Sequence, residues 1–203
     1  GESHVGYGKL DFPQFNLSVV GGRPFSWGGT DWKNKDFYRD RYNITSFAES
    51  TTKIVAAAKE TAYDTLIFIG HNGPTGLGDR PEDTCGRDWK PLGGDHGDLD
   101  FAEAIDKVHT LGKSIPLVTF GHMHHSLRHR KDRLRTIINS SPEGTIYLNS
   151  ACVPRIKEGK EGKERSFSIV TLTRRKITEI ALVWLNSDFD FISRDILFEQ
   201  PQN

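Results

Sequence analysis

Eight histidines are spread along the chain, and three of them fall where they could do chemistry. His71 and His122 each follow a glycine at the end of a short apolar run, Thr65-Leu66-Ile67-Phe68-Ile69 and Pro116-Leu117-Val118-Thr119-Phe120. His124 stands two positions beyond His122, in Gly121-His122-Met123-His124. Residues i and i+2 of an extended segment point to one side, so this segment aims two imidazoles at one locus. Imidazole suits Zn, Fe or Mn better than Mg or Ca. The two ions of a hydrolytic pair sit about 3.5–4 Å apart, a gap that neighbouring imidazoles can straddle. A lone histidine at a strand end more often caps backbone groups. Gly-His at two strand ends, with His-x-His at the second, points to metal instead. His125 projects the other way and is left outside the set.

The elements that would hold these residues follow from the apolar pattern. Residues 65–69 and 116–120 read as strands buried on both faces, because their apolar runs do not alternate. Residues 15–20 alternate and read as a further strand. Ser46, with Glu49 three residues on, marks a helix start by a capping box, and Phe47, Ile54, Val55 and Ala58 give its apolar face. Residues 98–111 predict a second helix, stopped by Gly112. Strands are expected near 134–139, 145–150, 166–173 and 177–185, with turns at 142–144 and 174–176. Residues 22–45 and the tail from 186 onward carry no regular pattern. A strand–helix–strand–helix–strand front half followed by a run of strands predicts an α/β fold with mixed sheets in one domain. In open α/β sheets ligands sit outside the carboxyl ends of the strands, where both Gly-His pairs fall.

Composition narrows the function classes. The chain has 203 residues, with 27 Lys plus Arg against 27 Asp plus Glu and no formal net charge. That balance argues against a dedicated nucleic-acid or membrane-surface binder. No apolar stretch approaches the roughly 18 residues of a membrane span. Two separated cysteines, Cys85 and Cys152, form no disulfide scaffold and fit a reducing compartment.

Four segments together resemble the calcineurin-like metallophosphoesterases. Ile69-Gly70-His71-Asn72-Gly73-Pro74 is similar to that family's strand-end histidine motif, and Gly121-His122-Met123-His124 to its closing Gly-His-x-His motif. Gly93-Gly94-Asp95-His96-Gly97-Asp98 and Tyr147-Leu148-Asn149-Ser150-Ala151 resemble its cyanobacterial and plant branch. The likeness runs over residues 15–185. It implies a four-layer α/β/β/α sandwich and hydrolysis of a phosphoester by a hydroxide activated between two divalent metal ions (Mn, Fe or Zn). His71 and His122 would bind one ion and His124 the other. It also implies a chloroplast or a bacterial cytoplasm.

The family's earlier motifs, Asp-x-His, Gly-Asp-x-x-Asp and Gly-Asn-His-Asp/Glu, have no match in residues 1–70. Gly94-Asp95-His96-Gly97-Asp98 spells the second of them but falls after His71, out of order. Three imidazoles without a bridging carboxylate are a thin shell for two ions. The chain is therefore expected to be the C-terminal part of one such domain, residues 1–203. Its first metal motifs would come from an N-terminal half or a partner chain, and an apolar sheet edge or face should be exposed. The alternative is a non-catalytic interaction or structural subunit that keeps the fold. Asn72, Asp95 and His96, in the long loop 72–97, are candidates for substrate contact or for orienting the ligand histidines, against an equal claim as turn residues. The basic run 128–135 reads as a solvated turn or a phosphate site, with Arg128 the one candidate. Pro24 to Gly29 and Trp32 are expected to cover a core edge.

Overall fold

The computed structural model describes residues 4–159 and 162–200. A first sheet contains β1 (Lys9–Phe12), β2 (Leu17–Gly21), β3 (Thr65–Ile69), β4 (Ser114–Phe120), β5 (Ile138–Ser140) and β6 (Ile146–Asn149). Its order is β1-β2-β3-β4-β6-β5. The inner four strands run parallel, and the edge strands β1 and β5 pair antiparallel. The helices are α1 (Lys35–Tyr42), α2 (Phe47–Lys59) and α3 (Leu99–Thr110). A second, antiparallel sheet orders β10 (Phe191–Glu199), β9 (Lys176–Leu185), β8 (Gly162–Thr173) and β7 (Ile156–Gly159). The fold is thus mixed α/β with one mixed and one antiparallel sheet.

Two apolar clusters explain why β3 and β4 read as continuous hydrophobic runs. On one face Leu66, Phe68, Val118 and Phe120 pack with Ile54 and Ala58 of α2 and Phe101, Ile105 and Val108 of α3. On the other face Leu117, Ile146 and Leu148 meet Ile177 and Ile180 of β9, with Val170 and Leu172 of β8 against them. Each buried strand must be apolar on both sides, so alternation disappears. The opposite face of the second sheet carries Phe167, Ile169 and Ile196, 42–48% exposed.

The helix starts show local chemistry yielding to tertiary contacts. The Ser46 hydroxyl accepts from the Glu49 N–H, as the capping box requires. Glu49 reaches one residue further back than expected, accepting from the N–H and hydroxyl of Thr45 at 2.6 and 2.9 Å. Asp98 sits at the N-cap of α3 but its carboxylate makes no capping bond, because Arg23 holds it.

Elements β1, β7, α1 and β10 lie outside the elements expected from the sequence, and for α1 and β10 the reason is identifiable. Helix α1 buries only Tyr38, and five of its eight residues are charged, so it presents no continuous apolar stripe. Strand β10 pairs with β9 through register breaks between Phe191 and Ser193 and between Ile196 and Phe198. Each break flips the face of every following side chain and erases alternation. The strand expected at 134–139 forms only over Ile138–Ser140.

The hairpin joining β8 to β9 turns on Arg174 and Arg175, with Thr173 paired to Lys176. Both arginines have left-handed φ, 49° and 66°. A two-residue hairpin of this hand favours Asn-Gly, since in the left-handed region a Cβ crowds the following carbonyl oxygen. Replacing Arg174 by Asn together with Arg175 by Gly is expected to raise stability by about 1–2 kcal/mol. A urea midpoint that stays put or falls would count against the strain.

Candidate functional site

The site forms where four parallel strands end together. Pairing continues past β3 and β4, as the Gly70 N–H donates to Thr119 O at 2.9 Å and the Gly121 N–H to His71 O at 3.1 Å. That ladder sets His71 and His122 side by side, with ring centroids 5.0 Å apart. The end of β2 is tied in by the Gly22 N–H, which donates to Ile69 O. It delivers Ser26, whose carbonyl accepts from His71 Nδ1 at 2.7 Å. A carbonyl only accepts, so Nδ1 is the donor in this bond and Nε2 is the ring nitrogen left for a ligand.

His122 itself adopts a left-handed φ of 64°. Such a backbone state persists only where its surroundings enforce it, and it collects at functional positions. Burial pushes its pKa down to about 4, and the nearby His71 ring adds to the shift. The imidazole is therefore neutral at pH 7, the state in which it can coordinate a metal. The following segment is pinned from β6. The Asn149 amide donates to Met123 O at 2.6 Å, and the Ala151 N–H donates back to the Asn149 side chain. His125 is buried and bonds Asn149 O through Nε2, facing away from the pair as its spacing predicts.

A cleft of about 550 Å³ opens beside the pair. It gathers His96, His122, His124 and Arg128 of the candidate residues. Asn72 and Asp95 act as braces of the long loop. Asn72 is fully buried and donates to His96 O at 2.8 Å. Asp95 accepts from the Thr75 hydroxyl and from the N–H groups of Gly76 and Gly97. Gly28 allows the close approach of the β2 loop: its φ is +73°, and a Cβ there would lie 2.0 Å from His96 O.

The basic run divides in two. Arg130 is shared by Glu82 and Asp132, His129 also meets Glu82, and Arg133 faces Asp132. This portion is the solvated turn its composition suggests. Arg135 departs from that expectation, for it is buried at 3% exposure. Its guanidinium donates to the carbonyls of His124, Pro81, Asp83 and Gly86 and pairs with Asp88 at 3.3 Å. Asp88 also accepts from the Arg128 N–H at 2.8 Å. A run of charges gives no hint of which member turns inward.

The aromatic segment after β2 also departs from its expected place. Trp32 packs against the core, but Phe25 and Trp27 are each 55% exposed, and Trp27 lines the cleft. Trp89, Lys33 and Arg87 complete the lining that sequence reading missed. Their only sequence signal is their position in loops leaving the strand ends.

The donor set tests the metal expectation. Among the described residues, no three His, Cys, Asp or Glu side chains are grouped closely enough to hold an ion. Of the two carboxylates lining the cleft, Asp88 is engaged by Arg135, and Asp31 lies at an exposed position. The chain thus presents two adjacent imidazoles without a closed donor set among the described residues. Both cysteines are free, and burial raises the Cys85 thiol pKa, leaving it inert. No described helix is long and apolar enough to cross a membrane. Compared with known proteins, the chain matches no family model and no curated sequence.

Proposed function

We propose that this chain supplies the histidine-bearing part of a metal-dependent phosphoesterase site. The observation that carries the reading is the pair His71–His122, adjacent at the ends of neighbouring parallel strands. His71 and His122 would share one divalent ion and His124 would face a second, with Mn, Fe or Zn suited to such donors. When bound, such ions supply a hydroxide at neutral pH and offset charge developing on the phosphoryl oxygens. The carboxylate and remaining donors would come from residues outside these 203. Ser26 holds the His71 ring in orientation, and Arg128 stands in the cleft to bind a phosphoryl oxygen. The exposed apolar face around Phe167, Ile169 and Ile196 suits the fourth, helical layer of an α/β/β/α sandwich. On this reading the protein would work in a chloroplast or a bacterial cytoplasm, the setting that the family resemblance implies.

Titration with Mn²⁺ or Zn²⁺, followed by calorimetry, tests the assignment. Replacing both His122 and His124 by Ala is expected to lower metal affinity at least about 10–100-fold. Equal affinity in the variant would sink it. A second reading, a non-catalytic interaction subunit, draws on the absence of a closed donor group among the described residues. It predicts no phosphatase turnover even with metal bound and the missing donors supplied by the upstream coding sequence.

A further inference from the structure

We infer that the cleft beside the histidine pair takes a phosphoester whose organic part is a flat aromatic ring, the chemistry of a free nucleotide. This rests on the phosphoesterase reading and adds the identity of the leaving part. Three observations converge on it.

The first is aromatic. Trp27 stands on the cleft with more than half of its surface exposed, an unusual place for the largest apolar side chain. It is not loosely held there. Gly28 and Gly29 follow it with φ of +73° and +75°, and their backbones lie against His96, so the indole is carried on a braced turn. Trp89 lines the same cleft, with the edge of its ring system set against His96 at 4.8 Å and 89°.

The second is charge. Lys33, Arg87 and Arg128 line this cleft, and none has a carboxylate within salt-bridge distance among the described residues. Arg87 Nε is buried without a hydrogen-bond partner. Lys33 lies over the Trp27 ring at 5.7 Å and Arg128 over the Trp89 ring at 5.4 Å. Each cation is thus placed beside an aromatic surface, the combination that binds a base and its phosphate together.

The third is size. A cleft of about 550 Å³ suits one small ligand. Beyond it the positive charge thins out, Lys131 being the one cation of the run 128–133 outside the cleft without a carboxylate partner among the described residues. Past Arg128 the cations Arg130 and Arg133 are neutralised by Glu82 and Asp132. A nucleic-acid strand needs a continuous basic track, whereas a single phosphate needs only the three free cations.

Calorimetry on the full chain with AMP, ribose 5-phosphate and inorganic phosphate decides the matter, run with and without Mn²⁺. AMP is expected to bind about tenfold tighter than ribose 5-phosphate, since the base adds one stacking surface. Indole fluorescence should be quenched by AMP alone. Trp27→Leu should collapse the ratio toward one, and Trp27→Phe should restore most of it. Trp27 is exposed, and a circular dichroism spectrum checks that the variants fold. Equal affinity for AMP and ribose 5-phosphate would overturn the inference while leaving the phosphoesterase reading in place. If none of the three probes binds under either condition, both fall.

Discussion

Replacing Arg23 by Met is expected to cost about 3–5 kcal/mol, enough to unfold much of a marginally stable domain. Arg23 is 2% exposed and follows β2 directly. Its Nη2 bonds Asp98 at 2.8 Å and its Nε bonds Asp100 at 3.0 Å, both carboxylates being buried. Its guanidinium lies within 4.9–5.6 Å of the Trp32, Phe47 and Tyr38 ring centroids. Methionine can fill the stem's volume but leaves two carboxylates in a dry interior with no counter-charge. Equilibrium denaturation gives the number, and a loss below about 1 kcal/mol would show that the network is not the brace it looks.

The same network sets a pH dependence. One guanidinium serves two acids, so burial raises the Asp98 pKa from its ordinary 3.8 to about 7. The neighbouring Asp100 carboxylate pushes it the same way, against the pull of Arg23. Tyr38 and Tyr7, the other titratable groups acting on Arg23, both have their pKa raised by burial, Tyr38 to about 12, and stay neutral here. A group whose folded pKa lies above its unfolded value stabilises fully below the unfolded pKa and loses that contribution as pH rises through the folded one. Stability should therefore decline between about pH 4 and pH 7 by a few kcal/mol at most. Asp98→Asn should flatten the decline, and a slope unchanged in that variant would assign it elsewhere.

Arg135→Met is expected to have an effect of similar size, about 3–5 kcal/mol, for a different reason. Arg135 joins three parts of the molecule: Pro81 to Asp88 of the long loop, the His124 carbonyl and its own strand of chain. Its removal strands Asp88 and three loop carbonyls away from water, each with a desolvation cost. It also frees His124 and Arg128, so on the proposed function any affinity for metal and for phosphate should fall together with stability. Arg135→Lys keeps the charge but has one point of donation where the guanidinium has a fork. It is expected to recover part of the stability and little of the cleft. Thermal melts with hydrogen exchange over residues 79–88 distinguish a local loosening from a global loss. An unperturbed melt would remove Arg135 from the argument.

The sequence shows clearly what each residue's own neighbours determine. The two buried strands, the Ser46 cap and the helix ending before Gly112 depend on local pattern, and the structure reproduces them. The position of His71 and His122 was equally legible, because a glycine after an apolar run marks a strand end and parallel neighbours end level. What stayed hidden depends on contacts between segments distant in the chain. Trp27, Lys33 and Trp89 reach one cleft from two loops, and nothing in their spacing announces a meeting. Arg135 sits among five other basic residues in the run 128–135, and only its buried partners distinguish it. Asn72 and Asp95 carry polar side chains near the motif, and sequence alone cannot separate a side chain that braces the loop from one that faces a ligand.

The parallel pairing of β2, β3, β4 and β6 has a kinetic consequence. Each parallel neighbour is reached only by a long crossover, so chain entropy is spent before any strand contact returns it. The two Gly-His ends cannot meet until β3 and β4 have docked in register. A nascent chain therefore carries its imidazoles separated, and their approach comes late in folding. The histidine pair is a product of completed topology, so no segment of the unfolded chain presents both imidazoles together.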